Sequence, residues 1–178
     1  MRHIKDEAIV IRRKNYGEAD RLLTLFTKRN GKITAKAAGV RKIQSRRSSH
    51  IELLNHAQLA LYKGRGMPVL TEVMTIESYS AIKDDLMKVG FAYHICELVD
   101  GLCPENQENP AVFDLLTETL SRLTSGNDIV AAIHEFEVEL LSNLGYWNKD
   151  HANVDTHLYI ENILERRLKS KTIFSKMQ

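Results

Sequence analysis

Cysteine is almost missing from this chain. Cys96 and Cys103 are the only two in 178 residues, too few for a disulfide framework or a four-cysteine zinc site, and such sparing use fits a reducing interior. No apolar run approaches the roughly 20 residues that cross a bilayer, and the first ten residues, MRHIKDEAIV, lack the apolar core of a signal peptide. The expectation is a cytoplasmic protein without membrane contact. Local signatures of catalysis are missing as well: there is no GxSxG, no HExxH and no GxxxxGK followed by Ser or Thr, while Gly64-Arg65-Gly66 reads as a turn rather than a dinucleotide fingerprint. Asp84 with Asp85 could in principle hold Mg²⁺, but neighbours on a helix point about 100° apart, so both read as first-turn helix charges. His94, Cys96 and Cys103 make the most tempting metal cluster. Seven residues separate the two cysteines, which on a helix is about 10 Å, too far to share one zinc, so both read as small core residues. His134, His151 and His157 show no regular ligand spacing. No catalytic residue, metal or cofactor is expected.

Acidic residues are missing from one stretch in particular. Lys28 to Arg47, KRNGKITAKAAGVRKIQSRR, carries Lys28, Arg29, Lys32, Lys36, Arg41, Lys42, Arg46 and Arg47 with no Asp or Glu among them. A solvated run of charge would share this composition, but a polyanion is the natural partner for it. Ile33, Ala35 and Ala37 alternate with Lys32, Thr34 and Lys36, as in a half-buried strand that shows its lysines to solvent. Beyond Gly39 the alternation stops, and VRKIQSRRSS reads as a flexible loop whose Ser, Gln and Arg side chains can reach phosphate oxygens.

The net charge of +2 hides a division. Residues 1–80 hold sixteen Lys and Arg against seven acids, and residues 81–178 hold nine against sixteen, with Arg166, Arg167, Lys169, Lys171 and Lys176 closing the chain. A basic half joined to an acidic half suggests a polyanion-binding module and a second module with another task.

Four further segments of the basic half read as strands: Ile4–Arg13, Arg21–Thr27, His56–Lys63 and the run PVLTEVMTIE at 68–77. Asn30-Gly31 predicts a two-residue hairpin turn. Five short strands without a helical period fit an oligonucleotide-binding barrel over residues 1–79 better than a sandwich. Such barrels hold single strands with a basic groove and aromatic faces; Tyr16 and Tyr62 could serve, whereas Phe26 reads as core.

From Ser80 the period becomes helical. Ser80 is expected to cap one long helix to about Leu102 with Ile82, Leu86, Val89, Tyr93, Cys96 and Val99 inward. Asn109-Pro110 opens a second, with Val112, Phe113, Leu116, Leu120 and Leu123 inward until Ser125-Gly126. Asn127 is expected to cap a third, in which Ile129, Ile133, Phe136, Leu140 and Leu144 recur before Gly145. After the loop YWNKDHANVD a last helix from Thr156 should bury Ile160, Ile163, Leu164 and Leu168, with Arg166, Arg167 and Lys169 near the negative end of its dipole. The fold class is α+β, with a helical bundle over residues 80–178.

The ordered set Tyr16-Gly17-Glu18-Ala19-Asp20, Leu25-Phe26-Thr27, Gly31-Lys32, Gly39-Val40-Arg41-Lys42 with Ser45, Glu77, Glu97-Leu98, Phe113-Asp114-Leu115-Leu116, Leu140-Leu141 and Leu144-Gly145-Tyr146 resembles the RecO family of bacterial DNA repair proteins. The resemblance implies an oligonucleotide-binding (OB-fold) barrel followed by helices, and binding of single- and double-stranded DNA without catalysis. It further implies strand annealing and, with RecR, loading of RecA where the single-strand-binding protein covered the strand, in bacterial cytoplasm at the nucleoid. DNA contact then falls on Lys32, Lys36, Arg41, Lys42, Arg46 and Arg47, beside Lys28, Arg29 and Tyr62 from the reading of the basic module. Many family members place a four-cysteine zinc ribbon after the position of Tyr146, but residues 146–155 contain no cysteine, which implies a zinc-free, shortened form. An RNA-binding barrel protein of translation or ribosome assembly is the alternative that the same strands and aromatics would serve.

Overall fold

Ile4, Ala8 and Val10 point inward from β1 (Arg2–Tyr16), which is long enough to serve two neighbours. The ladder shifts between Val10 and Arg12, a bulge that bends the strand. Its first half pairs with β4 (His56–Lys63), from Arg2 opposite Lys63 to Ile9 opposite His56, and its second half with β2 (Asp20–Thr27), from Ala8 opposite Thr27 to Tyr16 opposite Asp20. β3 (Gly31–Ala37) runs antiparallel to β2 and β5 (Val69–Glu77) antiparallel to β4; one parallel pairing, Lys36 with Val69, closes the order β1-β2-β3-β5-β4 into a barrel. This computed structural model describes residues 2–126, 128–148, 151 and 153–170. The five expected strands are present, β4 with the expected limits, while β1 extends beyond Arg13 because Lys14 to Tyr16 keep ladder partners in β2. Leu23, Leu25, Ile33, Ala35, Ala37, Leu59, Leu61 and Leu70 join β1's inward residues in the core, and Val40 and Ile51 from the β3–β4 connection join them.

Two turns differ from expectation. The β2–β3 hairpin has three loop residues, 28–30, with Gly31 (φ +67) already in β3 opposite Thr27. The buried Asp6 carboxylate draws the loop into this shape by accepting from the Arg29 N–H at 3.1 Å and Asn30 Nδ2 at 2.7 Å, while Thr27 Oγ1 accepts from the Asn30 N–H at 3.1 Å. Residues 38–55, of which VRKIQSRRSS at 40–49 was expected to be a flexible loop, form successive turns that include a 3₁₀ turn at Ser48–Ile51. Buried Val40 and Ile51 anchor them, Asp20 Oδ1 accepts from the Gly39 N–H at 2.7 Å, and the Arg47 guanidinium donates to Ala38 O and Leu70 O, each at 2.8 Å.

The chain forms two compact units, one of Met1–Ser78 with Pro104–Pro110 and the other of Tyr79–Cys103 with Ala111–Gln178. The excursion Pro104–Pro110 lies along β3. The Asn106 N–H donates to Lys32 O at 2.9 Å, Lys32 bridges Glu105 in parallel, and a Cβ on Gly31 would fall 1.9 Å from Gln107 O.

The helical unit contains α1 (Ser80–Lys83), α2 (Leu86–Leu102), α3 (Pro110–Ser125), α4 (Ile129–Asn143) and α5 (Thr156–Leu164). The single helix expected from Ser80 is broken at Asp84. Asp85 is an N-cap, not a first-turn charge: its carboxylate accepts from the N–H groups of Met87 (2.9 Å) and Lys88 (3.2 Å). Ser80 caps nothing; the residue before α1 is Tyr79 at φ 50. The expected inward stripe is also out of phase, since Leu86 and Tyr93 are exposed while Gly90, Ala92, His94, Ile95 and Leu98 are buried beside Cys96 and Val99. α3 and its five inward residues are as expected. Asn127 lies outside the described residues, and Asp128 caps α4 by accepting from the Ala131 N–H at 3.1 Å. Gly145 (φ +81) ends α4, with the Tyr146 N–H returning to Leu141 O at 2.8 Å.

α5 stops at Leu164, short of the expected helix, because the chain turns at Glu165 (φ 52) and Glu97 of α2 captures residues 166–170. Glu97 accepts from Arg166 Nη1 at 2.7 Å and from the N–H groups of Lys169 and Ser170, each at 2.9 Å, so Arg166 answers Glu97 rather than a helix dipole. Lys171 and Lys176 lie outside the described residues. Both cysteines are buried, and burial pushes the Cys96 thiol up to about 12. Among the described residues no helix is long and apolar enough to cross a membrane.

Candidate nucleic-acid interface

Ala35 and Ala37 are sealed inside the barrel, so Lys36 between them faces out. Residues paired across a ladder share a face. Following the register from Lys36 gives one outward row: Lys14 opposite Leu22, Leu22 opposite Lys36, Lys36 opposite Val69, Val69 opposite Tyr62 and Tyr62 opposite His3. The row runs round the rim where β2 and β5 begin and β3 and β4 end. It brings Tyr62 into line with Lys36, and it adds Lys14 and His3, which the sequence reading missed. The signal for Lys14 was present in the β1 ladder past Arg13, but the ladder's length depends on its partner strand.

The residues at this rim have different duties. Lys36 Nζ lies 2.8 Å from Asp20 Oδ2 and 5.5 Å from the centre of the exposed Tyr16 ring. The bond to Asp20 raises the Lys36 ammonium, and the bonds from Lys36 and the Gly39 N–H lower the Asp20 carboxyl. Lys36 therefore shapes the turn as much as it offers charge. Arg47 is held by two carbonyls, with the same result. Arg41 is exposed, with its N–H on Ala19 O at 2.9 Å and Nη1 on Gly17 O at 3.1 Å, which sets the β3–β4 turns against the β1–β2 turn. Lys42 and Arg46 are exposed on the same turns, Ile43 between them is fully exposed, and Lys63 and Arg65 are exposed at the β4–β5 turn. Tyr62 is half-buried, tilted against His3 with ring centres 5.4 Å apart, and a Cβ on Gly64 would press to 3.3 Å from its ring.

Lys28, Arg29 and Lys32 are elsewhere. They stand at the hairpin end of β2 and β3, Lys32 about 13 Å from Lys36 at roughly 3.3 Å per residue along β3 and Lys28 and Arg29 beyond it. Lys32, expected to face solvent, is only 9% exposed beneath the 104–110 segment. Lys28 Nζ is 4.0 Å from Glu7, and the Arg29 backbone is tied to Asp6. The structure thus gathers Lys36, Arg41, Lys42, Arg46, Arg47 and Tyr62 and separates the other three. The gathered set can grip a phosphate backbone with guanidinium and ammonium groups, and the exposed ring of Tyr16 offers a base a face to stack on.

In the helical unit His94 belongs to a cluster of ligand-type side chains other than the one with Cys96 and Cys103. His94 meets Glu137 and His157, which sequence spacing does not connect.

Residues 1–79 match the family model described as Recombination protein O N terminal, and residues 83–147 the one described as Recombination protein O C terminal. Curated proteins named DNA repair protein RecO are similar over most of this chain. One from a Roseiflexus species is 40% identical over 142 residues, covering 80% of this chain and 50% of that protein. One from Dehalococcoides mccartyi is 38% identical over 142 residues (80% and 56%), and one from Heliobacterium modesticaldum 39% identical over 146 (82% and 53%). The chain spans about half the length of the curated relatives it matches.

Proposed function

The chain belongs to the recombination protein O family, and from that premise we propose that it acts in DNA repair and recombination without catalysis, by holding DNA strands along the basic rim of its barrel. One observation carries this reading: Lys14 from β1 and Arg41, Lys42 and Arg46 from the β3–β4 turns, two separate segments of the sequence, are exposed at the rim that also carries Tyr16 and Tyr62. Phosphate contacts position a strand without reading its sequence, so the rim suits single- and double-stranded DNA of any composition. Annealing of complementary strands then follows from lowered repulsion between two phosphate chains. Contact with RecR and the single-strand-binding protein, and through them the loading of RecA beside the chromosome, completes the proposal and rests on the family resemblance.

Binding to a labelled single strand across a salt series tests it. Four neutralised phosphates give a slope near −3, so a fourfold rise in salt weakens binding by about fiftyfold. Replacing Arg41, Lys42 and Arg46 with alanine should lower affinity at least tenfold, equally for all sequences, and slow annealing of naked and protein-covered strands together. A flat salt response, or unchanged affinity in the triple variant, would reject the rim. Preference for RNA over DNA in direct competition would favour an RNA-binding role instead.

A further inference from the structure

Three helices of the second unit each send one ligand-type side chain to the same point: His94 from α2, Glu137 from α4 and His157 from α5. The three donor atoms lie within 4.8 Å of one another. Both imidazoles aim Nε2 at a single carboxylate oxygen, with His94 Nε2 at 2.6 Å and His157 Nε2 at 3.1 Å from Glu137 Oε1. The two rings are stacked, with centres 5.1 Å apart and planes 19° apart. His94 and Glu137 are sealed from solvent, at 0% and 1% side-chain exposure, whereas His157 is 36% exposed.

A carboxylate removed from water needs positive charge beside it. One divalent ion answers all three groups together, taking a lone pair from each Nε2 and one from Oε1. Zinc bonds of about 2.0–2.2 Å place tetrahedral ligands roughly 3.4 Å apart, so the observed separations from Oε1 need open by less than about 1 Å. The surrounding groups already fit. His94 Nδ1 lies 2.8 Å from Ser170 Oγ, a hydroxyl that can accept its N–H and direct the lone pair to Nε2, and Thr156 Oγ1 donates to Glu137 Oε2, holding the other carboxylate oxygen. The exposed edge of His157 gives an ion a way in and leaves water a place in its coordination.

We propose that His94, Glu137 and His157 form a binding site for a first-row divalent ion of the zinc type, with water as a further ligand. Such an ion ties α2, α4 and α5 together and acts as a staple of the helical unit; it does not depend on the DNA-binding reading. Two His and one carboxylate suit zinc and its neighbours better than calcium or magnesium, which prefer oxygen.

The full chain, stripped with a chelator and titrated with Zn²⁺ in a calorimeter, should take up one ion. Its unfolding temperature should rise with free zinc, and Co²⁺ in place of zinc should give the visible absorption of a low-coordinate site. His157→Ala, at the accessible corner, should fold as the stripped protein does and bind zinc at least tenfold more weakly; Glu137→Gln, if it folds, should do the same. His134→Ala, an exposed histidine outside the cluster, should bind like the unaltered chain. Absence of one-to-one uptake, or uptake unchanged in His157→Ala, overturns the site and leaves a hydrogen-bonded His–Glu–His cluster.

Discussion

At the β2–β3 hairpin, Lys28, Arg29 and Lys32 lie beside Asp6, Glu7 and Glu105; at the other end of the same strands, Arg41, Lys42 and Arg46 project from turns whose backbone is held by Asp20, Ala19 and Arg47. Residue types and local charge are alike at the two ends. What differs is the placing of acids. At the hairpin a buried carboxylate organises the turn and a covering segment removes Lys32 from solvent, whereas at the rim Asp20 engages Lys36 and leaves the turn cations outward. Net charge along a sequence therefore overstates the charge available to a ligand, and the register of a barrel shows which part remains.

Breaking the hairpin end should cost stability and little else. The largest effect is expected from Gly31→Ala, since the new Cβ would lie 1.9 Å from Gln107 O at a φ of +67; urea denaturation should show a loss of about 3 kcal/mol or more. Next comes Asp6→Ala, which strips acceptors from the Arg29 N–H and Asn30 Nδ2 and should cost about 1–3 kcal/mol by the same measurement. In both variants the strand affinity of whatever remains folded should stay near its original value. Lys28→Ala with Arg29→Ala sharpens the contrast from the ligand's side: single-strand affinity should change by less than about twofold, against the tenfold loss expected for the rim triple variant, and the salt slope should hold, because a slope falls by about 0.7 only for each phosphate contact removed.

A last contrast separates the barrel from the helical unit by pH. Burial pushes the Glu97 carboxyl up, but the Lys169 N–H, the Arg166 guanidinium and the Ser170 N–H outweigh it and hold the group at about 2, below its usual 4.5. A carboxylate lowered by folding stabilises fully above its ordinary value, and that stabilisation fades as pH falls towards the folded value. Denaturation midpoints of the unaltered chain should thus drop between about pH 4.5 and 2. Glu97→Gln should be less stable at neutral pH and flatter across that window, the two proteins converging at its acid end.

The strands were legible because inward and outward residues alternate wherever one face meets the barrel core, as Ile33, Ala35 and Ala37 do against Thr34 and Lys36. α3 was legible for the corresponding reason, a narrow apolar stripe against a polar back. α2 was not. It is buried over a wide arc that includes Gly90, Ala92 and His94, so apolar spacing carried little information about phase, and Leu86 and Tyr93 fitted a stripe they do not join. The break before α2 depended on Asp85 turning its carboxylate onto backbone N–H groups, a choice between two good local roles for one residue. Of the rim, the cations of the Arg41–Arg47 turns were readable, but their separation from Lys28 and Arg29 was not, and Lys14 entered only through its register partner. Glu137 and His157 lie forty-three and sixty-three residues from His94, and no local pattern links them.

By itself the sequence determined the strand-then-helix order, the basic and acidic halves and the family, because these depend on short-range periodicity, composition and ordered motifs. Only the tertiary structure decided which cations share a rim, which are covered or paired with acids, and which histidines meet a carboxylate. Those outcomes depend on distances across ladders and between helices, and such distances are fixed by packing elements that are remote along the chain.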